Sequence, residues 1–330
     1  MAPGPLLIGL PAGDPDAALL CHPWVGGVVL FSRNAGTPKE MRDLTVAIRA
    51  ARPGPLLVTV DHEGGPVQRL RQGFTRLPPL ASYGRLALSD RRAARRAAYA
   101  HGRVTAGELL AVGIDLAFAP VLDLERGSRV IGERALAADP ALVAELGAAL
   151  IAGLRAGGMA AVGKHFPGHG TVIEDSHHQG VEDPRPFAQM AAADLLPFRA
   201  LARQLPGIMM AHVVYPEVDP QPAGFSAAWI GRVLRTAWGY RGVVISDDLG
   251  MAGAAGAGDL SARLDAALAA GCDLALVCDP DASAALLAAL EGRPAPAARA
   301  AVTALKARSP RRFGRSLRHW QRRLAALAGP

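Results

Sequence analysis

Eight short apolar runs recur along the chain, and each is followed by a stretch with helical spacing. The runs are nearly continuous in apolar residues rather than alternating, which is typical of parallel strands buried on both faces. We therefore interpret each run as the strand of one strand–helix unit. They are LLIGL (6–10), VGGVVLF (25–31), PLLVTVD (55–61), IDLAFAP (114–120), MAAVGKH (159–165), GIMMAH (207–212), GVVISDD (242–248) and CDLALVCD (272–279).

Helix start and stop signals stand between these runs. The segment 37–40, Thr-Pro-Lys-Glu, combines an N-cap, a first-turn proline and a capping-box glutamate. Asp139-Pro140 predicts a second helix start and Gly157-Gly158 its end. Asp183-Pro184 predicts another start, and Gly271 the end of a later helix.

A strand followed by a helix, eight times within 330 residues, predicts a single-domain (β/α)8 barrel of the TIM type. An open doubly wound sheet is the alternative. It would normally carry a glycine-rich phosphate turn after its first strand, and the sequence has none there. We place the barrel domain at residues 1–308 and a basic C-terminal tail, predicted as a surface helix, at 309–330.

The net charge of +7 is concentrated near the C-terminus. Residues 309–323, SPRRFGRSLRHWQRR, contain six arginines and no acid. Such a stretch suits nucleic acid or an anionic membrane, but neither interleaved aromatics nor a nucleic-acid motif accompanies it. We therefore expect a solvated helix with Leu317, Trp320 and Leu324 on its apolar stripe, and no nucleic-acid or membrane partner.

The cysteines and the N-terminal residues indicate in which cellular compartment the protein is expected. The chain has three cysteines and no CxxC motif, and we expect reduced thiols. The first residues, MAPGPLLIGLPAGDPD, have no basic region and only a short apolar run, and no segment has eighteen uninterrupted apolar residues. These features predict a cytoplasmic protein, which we expect to be a monomer without a cofactor.

Polar residues gather where the predicted strands end, and a barrel of this kind has its active site at that edge. The fifth run leads directly into KHFPGHGTVIEDSHH (164–178), which holds four of the nine histidines. The residues at the strand ends are Asp61, Asp123, Lys164, His165, His212, Asp247, Asp248 and Asp279.

A metal site is one interpretation of this edge. His165, His169, Asp175, His177 and His178 are residue types that bind zinc. However, no HxH lies on a strand and no HExxH lies on a helix. The spacing therefore favours a site without a metal.

Sugar chemistry fits the residues better. Glycoside hydrolysis needs a carboxylate beneath the anomeric carbon and a proton donor beside the leaving oxygen. Asp247 or Asp248 can supply the carboxylate, but the apolar run before them leaves open which one faces the barrel axis. The donor can be His177, because a carboxylate two residues earlier, Asp175, can orient and charge its imidazole.

Several segments carry a resemblance to a known family. The chain resembles, from about residue 6 to about residue 290, the β-N-acetylglucosaminidases of glycoside hydrolase family 3, and in particular the short bacterial enzymes of cell-wall recycling. The segments are DHEGGPVQR (61–69), FAPVLDL (118–124), IGER (131–134), KHFPGHG (164–170), DSH (175–177) and ISDDLGM (245–251).

The resemblance implies a role for each motif residue. Asp247 would be the nucleophile of a retaining reaction, His177 the general acid and base, and Asp175 its partner. The substrate would be N-acetylglucosaminyl-1,6-anhydro-N-acetylmuramic acid, with or without its stem peptide. The residues expected to hold the terminal N-acetylglucosamine are Asp61, Arg69, Arg134, Lys164 and His165.

Three alternatives stay open beside the hydrolase. A phosphorylase on the same fold is one, because a neutral imidazole repels phosphate less than a carboxylate does. A metal-dependent barrel hydrolase and a non-catalytic binding protein are the others. The intact Asp175, His177 and Asp247 argue against the last.

Overall fold

The structure, a computed structural model, describes residues 3–172, 181–297, 299–307 and 314–328. Its centre is a parallel eight-stranded sheet with the strand order β4-β3-β2-β1-β8-β7-β6-β5. In chain order the strands are β1 (Leu6–Gly9), β2 (Val25–Leu30), β3 (Leu57–Val60), β4 (Leu116–Ala117), β5 (Val162–Phe166), β6 (Gly207–Met210), β7 (Val243–Asp248) and β8 (Leu274–Val277).

The sheet closes on itself between its first and last strands. Leu116 of β4 forms a parallel bridge with Ala160, just before β5, and Val121 forms one with Lys164. The regular ladder pairs Thr59 with Leu116 on the other side of β4. The predicted (β/α)8 barrel is therefore confirmed. Seven of the eight apolar runs contain a whole strand, and the fifth run, 159–165, contains all of β5 except Phe166.

Alternate strand residues fill the barrel interior. Leu57 on β3, Met209 on β6 and Leu276 on β8 belong to one buried cluster inside the barrel. The short helical segment Ala300–Leu305 adds Val302 and Leu305 to the same cluster. Leu305 lies 3.3 Å from the position that a Cβ would take on Gly207, the first residue of β6, so the segment covers the N-terminal end of the barrel and leaves the C-terminal end for the site.

Helices surround the sheet, and their apolar faces bury the outward side chains of the strands. Alanine and leucine, which are strong helix formers, are the commonest buried residues on these helices. The helices are α1 (Ala17–Cys21), α2 (Pro38–Ala51), α3 (Ala81–Ala87), α4 (Arg91–Ala111), α5 (Pro140–Ala156), α6 (Phe187–Ala192), α7 (Leu195–Leu201), α8 (Ala228–Ala237), α9 (Leu260–Ala270), α10 (Pro280–Ala289) and α11 (Gly314–Ala328).

Most of the predicted helix boundaries agree with the structure. The Thr37 backbone N–H donates to Glu40, whose own N–H donates back to the Thr37 hydroxyl, so the capping box is present. Asp139 caps α5, and Gly271 ends α9 in the left-handed region at φ 109°. The expected start at Asp183-Pro184 is wrong. The Asp183 carboxylate binds the side chain of Arg185 instead, and α6 begins four residues later.

The helix α11 lies against α4. Leu324 is buried in this contact, and the Trp320 ring packs edge-on against Tyr99 of α4 at 5.1 Å between centroids. The Gln321 side chain donates to the Glu108 carboxylate at 2.8 Å and to the Thr75 hydroxyl at 3.1 Å. The C-terminal helix is thus joined by polar contacts as well as by apolar ones. Whether it is a dispensable tail stays a prediction.

Within the described part of the chain, every helix is too short or too polar to cross a bilayer.

Candidate active site

The first element of the site is the chain just beyond β3. Here a small hairpin, His62–Gly64 with Val67–Gln68, continues the strand direction, so Asp61 and Glu63 face the same side two residues apart. The Lys164 ammonium, on β5, lies 2.7 Å from Asp61 Oδ1 and 2.7 Å from Glu63 Oε1. Two carboxylates from one strand end therefore hold one lysine from another.

Glu63 also binds Arg134 through two parallel hydrogen bonds. Arg134 Nε and Nη2 donate to its two carboxylate oxygens at 2.8 Å and 2.9 Å. The Glu63 side chain is only 1% exposed. Burial alone would raise the pKa of Glu63, but the charges of Lys164 and Arg134 outweigh it and hold the pKa well below its usual range. Glu63 is therefore a permanent anion between two cations.

The two cations respond in the opposite direction. Burial would lower the pKa of Lys164, but the charges of Asp61 and Glu63 raise it above its usual value. The pKa of Arg134 is raised in the same way, with Glu63 again outweighing burial. Glu63, Lys164 and Arg134 thus stay charged across physiological pH, and together with Asp61 they form a compact polar wall.

Asp123 organises the start of the loop that follows β5. Its carboxylate accepts hydrogen bonds from the backbone N–H groups of His165 and His169, at 3.2 Å and 2.8 Å. Oδ2 lies 2.6 Å from Nδ1 of His165. Although burial opposes it, the charges of His165 and His169 and these hydrogen bonds lower the pKa of Asp123.

These contacts settle the tautomer of His165. The Asp123 anion accepts from Nδ1, and Arg134 Nη2, which can only donate, lies 3.4 Å from Nε2. When the ring carries a single proton, that proton is therefore on Nδ1.

The end of β7 separates the two neighbouring aspartates. Asp247 lines the cavity at the barrel mouth. Asp248 turns away, and its Oδ1 accepts from the backbone N–H of Cys278 and of Gly250, each at 3.0 Å. Asp248 thus joins β7 to the end of β8, whereas Asp247 presents its carboxylate to the cavity.

Two donors hold the backbone of Asp247. Its carbonyl oxygen accepts from Nε2 of His212 at 3.2 Å and from the hydroxyl of Ser246 at 2.7 Å. Ser246 Oγ in turn accepts from the Leu276 N–H at 3.1 Å. A side chain just after β6, a side chain of β7 and the backbone of β8 therefore fix the position of the Asp247 backbone.

These groups surround one cavity of about 150 Å³ at the C-terminal end of the barrel. Its walls combine charged and aliphatic side chains, as a site for a polar molecule with apolar faces requires. The lining residues are Asp61, Val67, Arg69, Val130, Ile131, Arg134, Lys164, His165, His169, Met209, Asp247, Met251, Leu276 and Cys278.

A charged, partly apolar cavity at the mouth of a (β/α)8 barrel suits a polar ligand, but many protein families have such a cavity. The sequence model for the glycosyl hydrolase family 3 N-terminal domain matches residues 11–305. The chain belongs to glycosyl hydrolase family 3.

Relatives within the family are close in sequence. The β-hexosaminidase of Alkalilimnicola ehrlichii is 54% identical over 292 residues, which cover 86% of this chain and 83% of that protein. The β-hexosaminidase of Xanthomonas oryzae pv. oryzae is 50% identical over 292 residues, covering 87% of each. The predicted enzyme class, a glycoside hydrolase of the β-N-acetylhexosaminidase type, is confirmed.

Solved structures of the family share the architecture. Native NagZ from Neisseria gonorrhoeae matches with a TM-score of 0.92 and 39% identity, over 100% of this chain and 99% of that one. The same protein in complex with N-trifluoroacetyl-D-glucosamine matches with a TM-score of 0.91.

Six of the eight predicted site residues line the cavity at the barrel mouth. Five were expected to hold the sugar, and the sixth is Asp247. The predicted acid/base pair, Asp175 and His177, lies outside the described residues. His178, which the metal interpretation also needs, lies outside them too. The six are Asp61, Arg69, Arg134, Lys164, His165 and Asp247.

The sequence analysis assigned no role to two anions that organise the site. Glu63 binds both Lys164 and Arg134, and Asp123 binds His165. Glu63 could have been found from the sequence, since it stands two positions after Asp61 and the two-residue period of a strand places both on one face. Asp123 was named as a residue at a strand end, but its role was missed because its partners come from another strand.

Proposed function

We propose that this chain is a retaining exo-β-N-acetylglucosaminidase that removes terminal N-acetylglucosamine from peptidoglycan fragments in the cytoplasm. One observation carries the proposal. The Asp247 carboxylate opens into the same small cavity as Asp61, Arg134 and Lys164. A carboxylate facing a set of hydroxyl-binding charges is the arrangement that glycoside hydrolysis needs.

The size of the cavity supports exo action. It is about 150 Å³, and Met209 and Leu276, which belong to the buried barrel interior, close its floor. A closed floor suits one terminal sugar unit and leaves no passage for a longer chain. The leaving group would then extend outward, past the loops at the barrel mouth.

The charged wall would bind the hydroxyl groups of that sugar. Asp61 accepts hydrogen bonds, while Lys164, Arg134 and Arg69 donate them. Arg69 Nη2 is 4.0 Å from Asp61 Oδ2 and its guanidinium stands 5.5 Å from the Phe31 ring centroid, so it is held loosely enough to reach a ligand. The remaining partners of these side chains keep them in place before the substrate arrives.

Asp247 would act as the nucleophile. Its carboxylate attacks the anomeric carbon as the glycosidic C–O bond breaks, and an ester links the sugar to the enzyme. Water then attacks the same carbon, and the ester bond breaks. Two inversions give net retention. The backbone contacts from His212 and Ser246 would hold the carboxylate at the required place.

His177 would move the proton in both steps. It gives a proton to the leaving oxygen in the first step and takes one from the attacking water in the second. Asp175 would orient and charge its imidazole. Because both residues lie outside the described part of the chain, this assignment rests on the DSH motif and its resemblance. The preceding turn is anchored, since Gly170 packs against the backbone of Leu124 with no room for a Cβ.

The peptidoglycan substrate is what the motif resemblance implies, and a solved relative supports the sugar part of it. Native NagZ of Neisseria gonorrhoeae has the same architecture over its whole length, and it has been solved with N-trifluoroacetyl-D-glucosamine. This ligand is an analogue of the sugar that we propose for the cavity here. We expect the aglycone to be 1,6-anhydro-N-acetylmuramic acid, with or without its peptide.

The test is to incubate the enzyme with a purified muropeptide mixture and identify the released sugar by mass. Free N-acetylglucosamine and anhydromuramyl peptides are the expected products. The assay is repeated with inorganic phosphate. If N-acetylglucosamine 1-phosphate were then the main product, the enzyme would be a phosphorylase. Release of a different sugar would contradict the proposed specificity.

A further inference from the structure

A second concave surface lies on the outside of the barrel. It is a groove of about 690 Å³ between α4, α5 and α11, and it shares no lining residue with the active-site cavity. The groove is lined by Arg92, Arg95, Arg96, Tyr99, Glu145, Ala148, Ala149, Ala152, Trp320 and Arg323.

The groove brings two basic segments together that are far apart in sequence. The first is RRAARR (91–96), on the first turns of α4, and the second is the arginine-rich C-terminal helix. Arg323 reaches the same groove as Arg92 and Arg96. The basic C-terminal helix therefore lies next to the basic start of α4. Like charges repel each other, and an anion bound between them would relieve that repulsion.

Most of this positive charge is uncompensated within the described residues. Glu145 is the one acid lining the groove there, and it is already bound by Arg91 at 2.6 Å and approached by Arg95 at 3.6 Å. Arg92, Arg96 and Arg323 have no acidic partner in the described part of the chain, and the Arg96 Nε is buried without a hydrogen-bond acceptor. The groove thus offers guanidinium donors to an added anion.

The rest of the lining is apolar and aromatic. Tyr99 and Trp320 meet edge to face, with their rings inclined at 63° and their centroids 5.1 Å apart. Ala148, Ala149 and Ala152 of α5 form a shallow wall of small side chains opposite them. Flat rings stack on such aromatic faces, and the small alanines leave room for them.

We propose that this groove binds a free nucleotide or a similar organic phosphate that carries a flat ring. Arg92, Arg96 and Arg323 would bind the phosphate, since guanidinium groups match phosphate oxygens in geometry and charge. The ring would lie against Tyr99 and Trp320. The volume falls within the range of small-molecule sites, about 300–1,000 Å³. This site is separate from the hydrolytic one.

The probe for the test is AMP, measured by isothermal titration calorimetry with the full-length protein at low and at high salt. We expect saturable binding that weakens with salt. In Arg92→Gln/Arg96→Gln, binding should weaken about tenfold or more, which is the loss expected for charge-assisted hydrogen bonds. Hydrolysis of a nitrophenyl N-acetylglucosaminide should not change in this variant.

A matched control separates a site from general charge. Arg199 and Arg203 are exposed arginines at and after α7, so Arg199→Gln/Arg203→Gln removes the same charge elsewhere. This control should bind AMP like the wild type. Equal weakening in both double variants, or no saturable binding of AMP at 10 mM, would overturn the proposal.

Two further probes distinguish sources of the phosphate. Inorganic phosphate and adenosine should each bind more weakly than AMP, since each supplies half of the contacts. If phosphate bound as tightly as AMP, the aromatic wall would have no role and the proposed ligand class would be wrong. If vesicles containing phosphatidylglycerol bound through Arg92 and Arg96 while AMP did not, the surface would be a membrane contact instead.

Discussion

The Lys164 ammonium lies 2.7 Å from the Glu63 carboxylate, and both side chains are almost completely buried. The attraction between them and Arg134 keeps Glu63 charged despite its burial. A buried charged group is stable only beside a group of opposite charge. Removal of one partner leaves the other charge buried and unpaired. Substitutions in this wall of the cavity should therefore lower the stability of the fold.

Glu63→Gln should lower stability and activity together. The substitution keeps the shape but removes the charge between Lys164 and Arg134, and breaking a buried ion pair typically costs about 3–5 kcal/mol. We expect a lower free energy of unfolding in urea and a higher KM for an aryl glycoside. The control is Glu133→Gln, since Glu133 pairs with Arg85 at the surface at 3.6 Å. If the free energy of unfolding of Glu63→Gln equalled that of the wild type, the ion pairs of Glu63 with Lys164 and Arg134 would contribute nothing to stability.

Asp247 and Asp248 should respond differently to substitution. Asp247→Ala should abolish turnover and leave the barrel folded, because this carboxylate lines the cavity. Asp248→Asn should retain activity but lose about 1 kcal/mol of stability, since it weakens hydrogen bonds to Cys278 and Gly250. A slow fluorosugar substrate should label Asp247, as seen by mass spectrometry. An active Asp247→Asn beside an inactive Asp248→Asn would reverse the assignment.

The stereochemistry of the product follows from a covalent intermediate. Proton NMR of the first-formed N-acetylglucosamine should show the β-anomer before mutarotation. An initial α-anomer would mean a single displacement by water, and Asp247 would then be a base rather than a nucleophile.

The effect of His177→Ala should depend on the leaving group. General acid catalysis typically contributes about 10²–10⁴-fold, but a nitrophenolate leaves without a proton. The variant should therefore slow the first step far more for the natural disaccharide than for a nitrophenyl glycoside. The second step needs a base with both substrates, so azide should rescue turnover. Equal slowing of the first step with both substrates would make His177 a binding residue and Glu174 the next candidate acid.

Acid should destabilise the protein through two buried histidines beneath the site. Burial, with a smaller effect of His101, lowers the pKa of His62 to about 3, and burial lowers that of His101 to about 4. The unfolded chain takes up protons near pH 6.5, so stability falls as the pH decreases from there toward these values. His62→Leu should reduce this loss by about 2–3 kcal/mol at pH 4.5. If His62→Leu lost as much stability on acidification as the wild type, this prediction would be wrong.

Removal of residues 309–330 should preserve catalysis on a small substrate. The described part of this stretch contributes no residue to the cavity, and the match to the family model ends at residue 305. The melting temperature should nevertheless fall, because Trp320 leaves Tyr99 and Gln321 leaves Glu108 and Thr75. A folded, soluble but inactive truncated protein would show that the helix supports the site.

Much of the fold and the site was predictable from local pattern. Each of the eight apolar runs coincides with one strand, and only Phe166 of β5 lies beyond its run, because a strand buried on both faces is mostly apolar. The family resemblance then identified six residues that the cavity brings together. The helix start at Asp183 was wrong, since a capping residue and an ion-pair residue look alike until the position of Arg185 is known.

The sequence by itself determined the barrel and which strand ends carry polar chemistry, because these follow from periodicity and from chain order. Only the tertiary structure decided which of two adjacent aspartates faces the cavity. Val243 and Ile245 of β7 belong to the barrel interior, and period two continues this inward set to Asp247. In the run 242–246, which leads to Asp247, every position except Ser246 is apolar. The sequence therefore does not show which side chains face the barrel interior, and only closure of the sheet does. The same closure places Glu63 and Asp123 beside their cations, because contacts between distant strands exist only once the barrel has formed.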